Sequence, residues 1–266
     1  MKKWYFLLFI ALFAHCKNNN DQKTSGEKKD DILATHIKDL ASQVSKKPDS
    51  VGLRFNYITA LDSGGEYKQA IAQVDSLIIH DRGNYGLWYK KAQICQHAGD
   101  TSNAINYYNT AISIYAAPDG LLALANLYAE TKNIKALGIC QQINEMRLGR
   151  EYDAYTAFFA GIYFSRTGNK EKALFFFDKS IENNYTFMDA YLEKGYAYYD
   201  TKRYDKALAV FALANEVSNR FADAYYWQGK CYEALNKKTE AIAKYQQAFD
   251  INNSLTEAQA AIKRLQ

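Results

Sequence analysis

Proline is almost missing from this sequence: 266 residues contain only Pro48 and Pro118. That scarcity excludes a collagen-like or proline-rich chain. It also permits long helices, because proline removes a backbone donor and breaks a helix interior. An excess of charge is missing too. The formal net charge is +4, with no dominant basic patch, so nucleic acid is not an expected partner. Histidine is limited to four residues, and His36, His80 and His97 lie far apart in the chain. GxSxG, GxxxxGK[ST], HExxH and GxGxxG are all absent. The carboxylates show no spacing that marks an acid–base pair. The expectation is therefore no enzyme, no cofactor and no metal. Four cysteines are present. Cys95, Cys140 and Cys231 match no CxxC or zinc spacing, and each sits in an apolar helical context. Buried free thiols are the preferred reading. One disulfide with one leftover thiol is the alternative in an oxidising compartment.

What is present fits a folded globular chain: 48% hydrophobic and 23% charged residues, with 22 tyrosines. The N-terminus is an address. Lys2 and Lys3 precede an unbroken apolar run of eleven residues, 4–14. That suits a signal-peptide core and is too short to span a bilayer, which takes about 20 apolar residues. The run ends at His15 and Cys16, and a wholly polar stretch follows. This arrangement resembles a bacterial lipoprotein signal. Its Phe13-Ala14-His15-Cys16 box has Phe13 and His15 where the family prefers leucine and a small residue. The resemblance implies a signal peptide over 1–16, lipid attachment at Cys16, and a tether over 17–31. The tether would be a flexible coil with a reach on the order of 20 Å. Ordinary secretion and a retained anchor are the alternatives. The implied location is the cell envelope, lipid-anchored, with the outer membrane as the default.

Beyond residue 50 the sequence repeats every 34 residues. Starting from Ala222, the eighth, eleventh, twentieth, twenty-fourth and twenty-seventh positions are Gly229, Tyr232, Ala241, Tyr245 and Ala248. One period earlier they are Gly195, Tyr198, Ala207, Phe211 and Ala214, and before that Gly161, Phe164, Ala173, Phe177 and Ser180. The N-terminal half holds Ala92, Cys95, Ala104, Tyr108 and Ala111, then Ile58, Leu61, Ala70, Val74 and Leu77. A slipped unit lies between, with Leu121, Ala125, Tyr128 and an early Ala136. Extra residues follow it at 147–153.

Each unit shows two apolar stripes at helical spacing. Small residues at the eighth and twentieth positions let two helices approach, and large ones at the eleventh and twenty-fourth fill the space beside them. No unit can bury its faces alone, so stacking must make the core. Gly65, Gly99 and Gly168 stand where a first helix should end.

This pattern resembles the tetratricopeptide repeat. The resemblance implies an all-α fold, an α-solenoid of about six helix–turn–helix repeats over 51–255. The units would be 51–84, 85–117, 118–153, 154–187, 188–221 and 222–255. Capping helices are expected over 32–50 and 256–266, the latter with Gln259, Lys263 and Gln266 toward solvent. The family's proline near position 32 is absent, and Asn219 and Asn253 stand there, so asparagine is expected to serve the turn between repeats.

In that family the first helix of each unit lines a concave face. Carried over by position, the groove would hold Phe55, Tyr89, Tyr155, Phe158, Ile162, Tyr196, Tyr199 and Tyr226. Polar residues there would be Gln93, His97, Asn126, Arg166, Asp189, Asp200, Asp223 and Lys230. Tyr89, Tyr155, Phe158, Tyr196, Tyr199 and Tyr226 are the candidate partner-binding residues, since tyrosine gives large contact area at low entropic cost. The alternative is that these rings only pack on neighbouring helices. A subclass of the family grips C-terminal carboxylates with lysine at the fifth position. Here that position holds Phe55, Tyr89, Leu122, Phe158, Leu192 and Tyr226, so the clamp is unsupported. The resemblance thus implies a membrane-anchored scaffold that binds a protein or peptide segment, with a glycan-binding surface lipoprotein as the alternative.

Overall fold

The computed structural model describes the backbone of residues 19–266 and the side chains from residue 31 onward. The signal segment and Cys16 lie outside the described residues. Those residues form fourteen helices and no strand: the predicted all-α class. Six helix pairs follow one another. They are α2 (Val51–Ser63) with α3 (Tyr67–Ile78), α4 (Tyr85–His97) with α5 (Thr101–Ile114), and α6 (Pro118–Glu130) with α7 (Lys135–Glu145). Then come α8 (Arg150–Arg166) with α9 (Lys170–Asn183), α10 (Met188–Asp200) with α11 (Tyr204–Val217), and α12 (Ala222–Ala234) with α13 (Lys238–Ile251). They are flanked by α1 (Asn19–Lys46) and α14 (Thr256–Leu265).

One turn is repeated in every pair. The backbone N–H two residues past the first helix's end region reaches back to the carbonyl of the eleventh position. The bonds are Glu66 to Leu61, Asp100 to Cys95, Asn133 to Tyr128, Asn169 to Phe164, Arg203 to Tyr198 and Lys237 to Tyr232, all 2.7–2.9 Å. This satisfies a helix-end carbonyl and requires a left-handed residue just before it. Gly65, Gly99 and Gly168 supply it with φ of 76°, 75° and 89°, and Lys132, Lys202 and Asn236 supply it with 61°, 59° and 58°. The sequence pointed only to the glycines.

The turn between repeats is built differently from expectation. Asn252 Oδ1 accepts from Ser254 N and Oγ at 3.1 and 2.6 Å, and Asn184 Oδ1 accepts from Thr186 N and Oγ1 at 3.0 and 2.7 Å. The turn-forming asparagine is thus one place earlier than Asn253. Its side chain is short enough to cap the two donors ahead of it.

The chain divides into two compact units, residues 1–120 and 121–266. In the first, Leu40 and Val44 of α1 are buried against Tyr57, Ile58 and Leu61, with Ile37 and Ala41 partly buried beside them. These apolar positions, spaced by three and four, make α1 a cap over the first helix pair. α1 also begins at Asn19, so helix replaces the coil expected over most of the tether, and the cap starts earlier than residue 32. On α4 the buried Lys91 donates through Nζ to Asp75 Oδ1 at 2.5 Å, a carboxylate that stays 45% exposed.

In the second unit the twentieth positions Ala173, Ala207 and Ala241 are fully buried, as are the rings Phe177, Phe211 and Tyr245. Each ring covers a glycine of the facing helix. A Cβ on Gly161 would lie 2.5 Å from Phe177, and one on Gly229 2.6 Å from Tyr245. The same overlap joins Gly195 to Phe211. Of the extra residues, 150–153 form the opening turn of α8, four positions ahead of the expected start at 154, and 147–149 lead into it. Glu151 and Asp153 in that turn favour the positive helix N-terminus. At the far end Ala258, Ala261 and Ile262 of α14 close the core, while Gln259, Lys263 and Gln266 are exposed.

Candidate functional site

The six candidate aromatic residues are all half-buried, but they fall into three groups. Tyr89 belongs to the first unit. Its ring stacks on Tyr85 at 5.6 Å and meets Tyr108 edge-on at 5.4 Å. Tyr85 donates its hydroxyl to Asp119 Oδ1 at 2.7 Å. Burial and that carboxylate together push the Tyr85 hydroxyl well above its ordinary range. His97 is committed within the same unit: its Nδ1 lies 2.8 Å from Asp62 Oδ1, and Lys90 Nζ donates to the other oxygen of that buried carboxylate at 2.7 Å. Phe55 stands 40% exposed.

The other five lie in the second unit. Tyr155 and Phe158 of α8 share Phe187, with ring centroids 5.2 and 4.9 Å apart. Ile162, one turn on, is buried; it faces the core rather than a groove, because its turn of α8 packs closely on α9. Tyr196, Tyr199 and Tyr226 converge on Trp227, at 4.5, 5.4 and 6.0 Å. Phe211 backs the same indole at 6.0 Å. Trp227 is the centre of this cluster, although it occupies the sixth position of its unit, which the family's groove pattern passes over. Its signal in the sequence was only its size. The rings therefore pack on one another and still keep part of each surface in water.

The charged groups sit among these rings. Arg166 at the end of α8 donates to Glu130 of α6 through Nε and Nη2 at 2.9 and 3.2 Å. It donates to Glu193 of α10 through Nη1 and Nη2 at 2.9 and 2.8 Å. This double fork engages all three guanidinium nitrogens in four charge-assisted bonds. Burial alone would lower the Arg166 pKa, yet the two glutamates outweigh it and raise it. Burial also raises Glu130 against the pull of Arg166. Asp200 is likewise committed, to Lys170 at 3.0 Å. Asp189 and Asp223 have no ion pair or hydrogen bond to a side chain among the described residues. Desolvation, then Glu193 and Asp223, push the Asp189 carboxyl up to about 6. Desolvation also raises Asp223. Burial, then Asp223 and Glu193, raise the hydroxyl of Tyr196.

Cys95, Cys140 and Cys231 are free and buried. Burial pushes Cys140 and Cys231 up to about 12, which leaves little thiolate for reaction. Among the described residues no three His, Cys, Asp or Glu side chains are grouped to hold a metal ion. No helix there is long and apolar enough to cross a membrane.

Family models described as "Tetratricopeptide repeat" match residues 85–118, 160–219 and 222–255. Among solved structures, a tetratricopeptide repeat protein from Parabacteroides merdae shares 19% identity over 92% of this chain and 96% of its own, with a TM-score of 0.69. PilW, a type IV pilus biogenesis factor, shares 16% identity over 79% of this chain and 97% of its own, with a TM-score of 0.65. The C-terminal part of a repeat-containing protein from Cytophaga hutchinsonii shares 19% over 74% and 78%, with a TM-score of 0.54. These likenesses are of fold. Among curated proteins none matches the chain in sequence.

Proposed function

The chain belongs to the tetratricopeptide-repeat family, and from that premise we propose that it is an interaction scaffold held at a membrane of the cell envelope. The observation that carries the scaffold reading is the ring cluster around Trp227. Tyr196, Tyr199 and Tyr226 reach it from two successive repeats and stay half-exposed. Large rings that are already packed lose little freedom when a partner covers them, so they bind at low entropic cost. A helix or extended peptide laid on α10 and α12 would meet these rings in series. Tyr155 and Phe158 would extend the surface by one repeat, and Tyr89 would offer a separate contact in the first unit.

The anchoring part of the proposal rests on the N-terminal sequence. A short apolar core ending at Cys16 and followed by polar residues fits lipid attachment there, with the outer membrane as the proposed site. Each buried methylene contributes about 0.8 kcal/mol, so more than one acyl chain holds a protein durably.

Two experiments test this. Cys16→Ala should move the protein from carbonate-washed membranes to the soluble fraction; unchanged membrane association rejects the anchor. For the scaffold, cross-linked capture from native membranes should be compared between wild type and Tyr199→Ala/Tyr226→Ala, with helicity checked for both. A protein enriched by wild type and lost in the variant supports the reading. Equal capture by both rejects the ring surface, and carbohydrate retained only by wild type transfers the surface to glycan binding.

A further inference from the structure

The aromatic surface of the second unit carries a charge imbalance that narrows its partner. α10 and α12 bring Asp189, Glu193 and Asp223 to the neighbourhood of Tyr196, and Glu130 of α6 joins Glu193 through Arg166. Arg166 is the cation bonded among them, and two of its edges are taken by Glu130 and Glu193. Asp189 and Asp223 have no cation bonded to them among the described residues. Lys194 pairs with Asp178 and Lys170 with Asp200, and Lys230 of α12 acts on Glu233.

Asp189 and Asp223 are the second residues of α10 and α12, 34 positions apart, and the contact of Tyr196 with Trp227 at 4.5 Å brings those two helices together. Glu193 and Asp223 both act on Asp189, Asp223 and Asp189 both act on Tyr196, and Asp189 acts on Tyr155. Asp189 is half-buried and Asp223 exposed; like charges held together there repel, and an incoming cation relieves that repulsion. The carboxylates are not grouped to share a metal ion. Their complement is therefore a pair of separated cations on side chains. The adjoining rings suit such side chains, since a lysine stem packs along an aromatic face and its ammonium is attracted to the ring.

Building on the peptide-binding reading above, we propose that this face takes a lysine- or arginine-bearing segment of a partner protein. Its cations dock on Asp189 and Asp223, and its apolar side chains lie on Tyr155, Tyr196 and Tyr226. Opposite charge then selects the partner and speeds its arrival, while the rings hold it. An acidic segment is repelled by the same two groups.

The test uses the full-length protein and three fluorescein-labelled amphipathic peptides of one length. They share a leucine pattern and differ in carrying lysine, glutamine or glutamate at every polar position. Fluorescence anisotropy should show the lysine peptide binding most tightly, with affinity falling as sodium chloride rises. Asp189→Asn/Asp223→Asn should lower that affinity about tenfold or more, equal to about 1.4 kcal/mol or above. Asp189→Lys/Asp223→Lys, with helicity intact, should switch preference to the glutamate peptide. If the glutamine peptide binds as tightly as the lysine one, or the asparagine variant binds the lysine peptide unchanged, charge selection is overturned and the ring surface stands. If none of the three peptides binds, both readings fall.

Discussion

The ring of Phe211 fills the space where a Cβ on Gly195 would stand. The same exchange recurs one repeat earlier between Gly161 and Phe177 and one later between Gly229 and Tyr245. In the second pair, Ala92 occupies the glycine's place, with the buried Tyr108 in the ring's. In the first pair the bulk is traded: Ile58 and Val74 share the volume, both fully buried. The two positions are thus one packing unit whose combined size decides how closely the helices approach.

Gly195→Ala should therefore destabilise the protein, although alanine is the better helix former. The helix gain is about 1 kcal/mol, whereas overpacking a dense core costs about 1–3 kcal/mol. A net fall of a few degrees in Tm is expected for a chain of this size. Adding Phe211→Leu should return part of the loss by vacating the overlapped space. A Gly195→Ala protein that melts higher than wild type would contradict the packing described.

A second expectation concerns the turn inside each repeat. Lys202 holds φ at 59° where Gly168 holds the corresponding turn at 89°. A left-handed residue with a Cβ costs roughly 1–2 kcal/mol relative to glycine in the folded state. Glycine also loses more entropy on folding, which returns roughly 0.5–1 kcal/mol of that. Lys202→Gly should then stabilise by up to about 1 kcal/mol, and Gly168→Ala should destabilise by a similar amount. Urea midpoints of the two variants, shifted in opposite directions, check the pair.

The repeat was legible because its packing unit is periodic. Gly195 and Phe211 are fixed in spacing, and so are Ala207 and Ala214, so the 34-residue register marks which residues meet. The turns were only half legible. Glycine announces a left-handed residue, but Lys132, Lys202 and Asn236 adopt the same conformation under the force of the surrounding fold. At the site, Tyr196, Tyr199 and Tyr226 followed from position. Trp227, which gathers them, did not, because its role comes from contacts between α10 and α12 rather than from a place in the motif. Nor did the fork of Arg166. Its glutamates lie 36 and 27 residues away, outside any helical spacing, and only the stacking of repeats brings them together.

Asp189 gives a pH dependence of unusual sign. Its carboxyl titrates at about 6 in the folded chain against 3.8 ordinarily, so the folded state holds the proton more tightly than the unfolded one. Stability from this group is full below about pH 4, declines between about 4 and 6, and is lost above that window. Asp189→Asn cannot ionise and should be more stable than wild type at pH 7, by on the order of 1–3 kcal/mol. The advantage should vanish at pH 4. A residue whose charge weakens the fold yet aids binding is expected at a recognition surface, so the same variant should gain stability while losing affinity for the lysine peptide. Thermal melts at the two pH values read the stability half directly.

Arg166 should behave in the opposite way. It is 30% exposed, while Glu130 and Glu193 are 15% and 16% exposed, so the group is drier at its carboxylates than at its cation. Arg166→Met leaves two glutamates facing each other without a partner, and breaking such a pair costs about 3 kcal/mol, at the low end because the arginine is partly solvated. The loss should shrink as pH falls, since protonating either glutamate removes the repulsion and lone carboxylates in a dry site take up protons more readily. Glu130→Gln/Arg166→Met/Glu193→Gln removes all three charges together and should recover most of the stability. Urea unfolding of the two variants at pH 7 and pH 5 separates the outcomes. If the single variant is as stable as wild type at pH 7, Arg166 joins no structural fork and is free to meet a partner. If it is destabilised at pH 7, less so at pH 5, and repaired by the triple change, Arg166 is a strut across three successive repeats. The acidity of the neighbouring surface then follows from its being spent there.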